Sequence, residues 1–207
     1  MYFVKTPWWL SLIYNKCVWR YTNKKEQLFL TFDDGPHPTI TPFVLQQLKK
    51  YNAKATFFCV GENVTKYPAI YQQIIDEGHA VGNHTYNHLN GWKTSHNLYL
   101  QNIHKAANHI SSHLFRPPYG KISFKAIKQL TGQTAHPYKI IMWDVLSGDF
   151  DANLTADVCT EIVLKNTTGG SIIVYHDSEK AWDRLSISLP KILEKLSAKG
   201  FSFLSIN

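Results

Sequence analysis

The stretch Gln27-Leu28-Phe29-Leu30-Thr31-Phe32-Asp33-Asp34-Gly35-Pro36-His37-Pro38 sets an apolar run against two adjacent carboxylates and a Gly-Pro turn. Gln27 to Phe32 is apolar, aromatic and β-branched and is ended by Asp, Gly and Pro, which predicts a buried strand. Paired carboxylates at the carboxyl end of such a strand lie where parallel sheets and α/β barrels place their ligand sites, because loops there can vary without disturbing the core.

Outward from that strand, Thr41 and Pro42 supply an N-cap and a first-turn proline for a helix reaching about Tyr51. Ala55 to Val60 reads as a second strand. Pro68 opens a helix carrying Ile70, Ile74 and Ile75, and Gly78 closes it before a short strand from Ala80 to Gly82. Ser95 to His113 spaces Leu98, Ile103, Ala107 and Ile110 as one long amphipathic helix. A brief strand at Leu114 and Phe115, a helix from Lys121 to Leu130 and a strand from Lys139 to Trp143 follow. The remainder reads as a helix from Leu154 to Lys165, a strand from Ser171 to Tyr175, a helix from Leu185 to Lys199 and a last strand from Phe201 to Ile206. Such alternation implies right-handed crossovers and a mostly parallel sheet, open or closed into a barrel, of the α/β class.

The chain of 207 residues has no Pro/Gly/Ser-rich break, so one domain is expected, residues 27–207, with residues 1–26 packed on it. Net charge is +7, from 22 Lys and Arg against 15 Asp and Glu. The basic residues spread along predicted helix faces, so solvated surface is expected and no nucleic-acid partner. Three cysteines without a CxxC pair give no disulfide framework, and Cys59 and Cys159 sit in apolar patterns as buried thiols. The aromatic N-terminus leaves only about ten uncharged residues between Lys5 and Lys16, against roughly 20 for a membrane span. It also shows no cleavable signal pattern, which favours a cytoplasmic or membrane-peripheral location. Packing across the barrel's end is the expected use of this segment, with a membrane-surface contact through Trp8, Trp9 and Trp19 as the alternative.

Chemistry-bearing residues cluster at predicted strand ends: Asp33-Asp34, His84 with His88, Arg116, Asp149, and His176-Asp177. Turn preference alone accounts for some of these, but five with complementary chemistry point to one rim. His84 and His88 are four apart, a spacing that on a helical turn lets both imidazoles hold one cation, with an acidic residue as a third ligand.

The ordered set TFDDGPHP (Thr31 to Pro38), NHTYNH (Asn83 to His88), RPPYG (Arg116 to Gly120), WDVLSGDF (Trp143 to Phe150) and VYHD (Val174 to Asp177) resembles the motifs of the polysaccharide deacetylases. This is the NodB-homology family, also called carbohydrate esterase family four. The resemblance implies a distorted (β/α) barrel of about seven parallel strands. It further implies a metal-dependent hydrolase that removes N-acetyl groups from the amino sugars of a glycan, with carbohydrate as its substrate and partner. By the same resemblance Asp34, His84 and His88 hold a divalent metal, zinc in most relatives, and Asp33 is the general base. Arg116 pairs with that base, and the Tyr119 backbone N–H faces the developing oxyanion, since Pro117 and Pro118 have no N–H to offer. His176 protonates the leaving nitrogen, oriented by Asp149, with Asp144 as the alternative partner.

The fourth and fifth motifs depart from the family pattern. Phe150 stands where Trp is usual, Leu146 where a further Asp is common, and Val174 where Leu is usual. An apolar wall is retained, and substrate detail is what the departures affect. His37, Tyr86, Trp92 and His96 flank the first two motifs as either sugar-facing or packing residues. Alternative functions are deacylation or deformylation of a lipid-linked amino sugar, hydrolysis of a small C–N substrate, and sugar binding without turnover.

Overall fold

The computed structural model describes residues 2–132 and 137–207. A short helix α1 (Trp8–Ile13) and a strand β1 (Cys17–Val18) precede β2 (Gln27–Asp33). Then come α2 (Ile40–Lys50), β3 (Ala55–Cys59), α3 (Gly61–Lys66), α4 (Pro68–Asp76), β4 (Ala80–Asn83), α5 (His96–Ala107), β5 (Leu114–Phe115), α6 (Phe124–Gly132) and β6 (Lys139–Ile141). The chain ends with β7 (Val145–Leu146), α7 (Ala156–Asn166), β8 (Ile172–His176), α8 (Trp182–Ala198) and β9 (Ser202–Phe203).

Strand β2 is buried from Leu28 to Asp33 because it lies between β3 and β8 and has core on both faces. That placement requires the near-continuous apolar run of its sequence. Strand order is β1-β6-β5-β4-β3-β2-β8-β7, every pair parallel, with β9 beside the start of β2. The result is a distorted, incompletely closed (β/α) barrel. Leu28, Leu30, Phe32 and Phe57 pack with Leu185, Leu189 and Ile192 of α8 in the main core, each such burial contributing about 1.5–3 kcal/mol.

The seam between β6 and β7 is crossed by the N-terminal residues. Val18 accepts the Met142 N–H at 2.8 Å, and Val4 accepts the Leu146 N–H at 2.9 Å. Antiparallel bridges join Lys5 to Val145 and Arg20 to Ser171. Tyr21 donates its N–H to Gly170, whose φ is +82°, and a Cβ added there would lie 1.7 Å from the Tyr21 carbonyl oxygen, so the position requires glycine.

Several boundaries differ from the sequence expectation. Helix α5 stops at Ala107, not His113: the His109 N–H bonds the Ala106 carbonyl three residues back, which tightens the last turn, and Ile110 enters the core. Its inward face is Tyr99, Leu100, Asn102, Ile103 and Ala106, while Leu98 is exposed. Thr41 lies inside α2 rather than capping it, with its hydroxyl engaged by Asp177 and by the His37 N–H. The strand expected from Lys139 to Trp143 ends at Ile141.

Candidate active site

Asp33 ends β2, and its carboxylate meets Arg116, which follows β5. Arg116 is fully buried and donates from one terminal nitrogen to Asp33 Oδ1 and Thr31 Oγ1, both at 2.7 Å. Its Nε and other terminal nitrogen donate to the carbonyls of Ile141 at 3.1 Å and Met142 at 2.9 Å. The Phe58 ring lies 4.1 Å under the guanidinium carbon. A buried guanidinium with this many oxygens around it has one position, so it fixes the direction of the Asp33 carboxylate.

Asp34 leaves the strand at φ 82°, which turns its side chain away from Asp33 and towards the histidines. The turn is held by Asp177, whose Oδ1 accepts the Gly35 N–H at 3.0 Å. A Cβ on Gly35 would lie 2.1 Å from Asp177 Oδ2, so this contact requires glycine. Burial raises the Asp177 carboxyl to about 8, opposed by its hydrogen bond with Thr41.

His84 and His88 do not share a helical turn. After β4 the chain runs irregularly, with Thr85 at φ 64° and His88 at φ 55°. Side-chain amides shape this loop: Asn83 Oδ1 accepts the Thr85 N–H at 2.8 Å, and Asn102 Oδ1 accepts those of Tyr86 at 2.8 Å and Asn87 at 3.0 Å. These local bonds replace helical ones and still bring the two rings to a centroid separation of 5.1 Å.

One ligand atom each from Asp34, His84 and His88 lies within 4.8 Å of the others. His84 donates Nδ1–H to the Arg116 carbonyl at 2.8 Å, which leaves its Nε2 lone pair facing Asp34 Oδ1, 3.8 Å away. Burial lowers His84 to about 4, so the ring is neutral, the form a metal ligand requires. His88 Nε2 is 3.1 Å from the same oxygen, and Asp34 Oδ1 is buried without a hydrogen bond. Burial raises the Asp34 carboxyl, but His88 and the charge of His176 pull it down further, well below the usual carboxylate range. A cationic group fits this donor set, since an orphaned carboxylate oxygen between two imidazole nitrogens calls for positive charge.

His176 ends β8 opposite Asp33 in the β2–β8 ladder. Its Nδ1 lies 2.8 Å from Asp149 Oδ1, and its backbone N–H donates to Asp149 Oδ2 at 2.7 Å. Burial works to lower His176, but the Asp149 carboxylate overrides it and raises the group to about 9. Asp144 is engaged elsewhere, by Lys5 at 2.8 Å and Ser171 at 2.6 Å.

Tyr119 sits between Pro118 and Gly120 in a left-handed conformation, φ 59°. Its side chain, unremarked in the sequence, places its hydroxyl 3.2 Å from His88 Nδ1 and sets its ring edge-on to the imidazole. Phe150 packs edge-on to His176 at 5.2 Å and is backed by Tyr2 at 5.0 Å, whose hydroxyl donates to Asp151. Tyr2 carries no signal in its local sequence. Of the flanking aromatics, Tyr86 packs beneath Lys105 and His109, and His37 accepts backbone N–H groups of Thr39 and Ile40.

A carboxylate paired with a buried arginine, a cation site beside it and an imidazolium across from it are the parts of a metal-dependent hydrolase. The chain belongs to the polysaccharide deacetylase family, whose model matches residues 20–138. A peptidoglycan-N-acetylglucosamine deacetylase of Bacillus cereus is 38% identical over 189 residues, covering 88% of this chain and 67% of that protein. A chitooligosaccharide deacetylase of Azorhizobium caulinodans is 33% identical over 203 residues, covering 88% and 94%. The crystal structure of a peptidoglycan N-acetylglucosamine deacetylase in complex with 4-naphthalen-1-yl-N-oxidanyl-benzamide superposes with a TM-score of 0.88 at 34% identity, covering 97% of this chain and 95% of that one.

Proposed function

We propose that the protein hydrolyses the N-acetyl group of N-acetylglucosamine units in a glycan of the peptidoglycan or chitooligosaccharide type, releasing acetate and a free amine. The observation that carries this reading is the spacing of three functions on one rim: Asp33 on Arg116, the Asp34-His84-His88 donor set, and His176 on Asp149. Asp34, His84 and His88 would hold a divalent cation, for which we propose zinc. When bound, that ion supplies Lewis acidity to water and to the amide oxygen.

Asp33, held in place by Arg116, takes the proton of the attacking water as its oxygen bonds to the amide carbon. The Tyr119 N–H donates to the oxygen that gains negative charge. His176 then gives its proton to the amide nitrogen, the C–N bond breaks, and the amine leaves as acetate is formed. Asp149 keeps His176 protonated until that step. Phe150 forms the apolar wall beside it, in keeping with a small acyl methyl. Residues 27–207 form the catalytic domain in this reading.

Acetate release from chitooligosaccharides and peptidoglycan fragments tests the proposal. Release that is abolished by chelator and restored by zinc is expected. Failure on both substrates with metal bound would overturn it.

A further inference from the structure

Helix α1 buries none of its six residues. Trp8 is 76% exposed and Leu12 65%, and Trp9 and Ile13 form a second exposed pair one position on. Beside them Tyr14 stacks at 4.9 Å on Phe124, itself exposed at the start of α6. Ile13, Tyr14 and Phe124 share a shallow cleft with Lys16 and Lys128. Scattered exposed apolar residues need no explanation, but a contiguous group rimmed by lysines does.

The charge around this patch is one-sided. The sequence has no Asp or Glu before Glu26 and none between Glu77 and Asp144, yet these two stretches hold twelve of its 22 Lys and Arg. They build β1, β6, β5 and β4, consecutive in the sheet, together with α1, α5 and α6. One contiguous half of the barrel therefore carries only positive formal charge, and the apolar patch lies on that half.

We infer that α1 and Phe124 dock on an anionic lipid surface. Such a surface supplies both complements at once, an apolar layer for Trp8, Trp9, Leu12, Ile13 and Phe124, and negative headgroups for the flanking lysines. Among the described residues no helix is long and apolar enough to cross a membrane, so the contact is peripheral.

The full chain is sedimented with phosphatidylcholine vesicles with and without phosphatidylglycerol, at low and high salt. Binding only to the anionic vesicles, weakened by salt, is expected. The Trp8→Ser/Leu12→Ser double variant should partition about tenfold less or weaker, since two large side chains no longer bury, while hydrolysis of a soluble substrate is unchanged. Two results overturn the inference: equal binding by wild type and variant, which makes it a general charge effect, or no vesicle binding with a self-association in sedimentation equilibrium that the same variant abolishes, which assigns the patch to a second copy.

Discussion

Replacing Asp149 with Asn separates the two functions of the His176 partner. In the structure His176 is raised from 6.5 to about 9, with Asp149 the leading cause against burial, a preference for the imidazolium worth ~3 kcal/mol. Asn keeps the shape but not the charge, and burial then acts unopposed. The alkaline limb of kcat/KM, set by loss of the general acid, should move acidward by about 2 pH units. At pH 8 this predicts a loss of about tenfold or more, and at pH 6 a much smaller one. A dication at Asp34 offsets one of the charges acting on His176, so the limb of the loaded enzyme lies below 9 in both proteins and the difference between them is the readout. The variant also sets an amide N–H₂ against either the His176 N–H or its ring, a buried mismatch costing about 1–3 kcal/mol in a thermal melt. The sign for stability agrees: a histidine raised on folding contributes fully below its unfolded pKa, and that contribution is lost as pH rises through about 9. An unmoved alkaline limb in a folded variant would refute the reasoning.

Asp33→Asn should lower kcat by about a thousandfold or more with metal content unchanged by mass spectrometry, whereas His84→Ala should lose both; full activity in either removes the assignment. Arg116→Met leaves the buried Asp33 carboxylate unpaired and should cost about 3–5 kcal/mol in urea unfolding, so a loss under 1 kcal/mol speaks against a buried ion pair. Asp177 is raised to about 8 on folding, so the proton it holds stabilises fully at low pH, and that contribution falls as pH climbs from about 4 to 8. Asp177→Asn imitates the protonated acid and should flatten that decline while retaining activity; a steeper decline shows that the carboxylate is the native form.

Much of the rim was legible because strand ends are written locally. The apolar run into Asp33-Asp34 needs only the grammar of a buried strand and a Gly-Pro turn, and the same holds for His176 after Ile172 to Tyr175. What the spacing of His84 and His88 could not convey is the backbone between them. Its positive φ values depend on Asn102, which reaches in from α5, and on Asn83 at the end of its own strand. The same Asn102 explains why the inward face of α5 departs from its apolar spacing: a polar residue points inward there because it satisfies the loop, while apolar Leu98 points out. Strand β1 leaves no mark in the sequence, because two residues carry no period and its pairing is fixed by Ile140 and Ile141 far along the chain. The Tyr119 side chain is placed by a left-handed turn that Pro117 and Pro118 only partly foretell.

The crossing of the β6–β7 seam by the first twenty residues also sets a timetable. Val18 is made early, but Met142, Val145 and Ser171, the groups it and its neighbours bond, leave the ribosome more than a hundred residues later. At ordinary rates of synthesis that delay is on the order of ten seconds, during which an aromatic leader must wait without its partners. Covering that seam therefore waits until late in synthesis, and a chain stalled before Ser171 would expose both an open sheet edge and the segment meant to cover it.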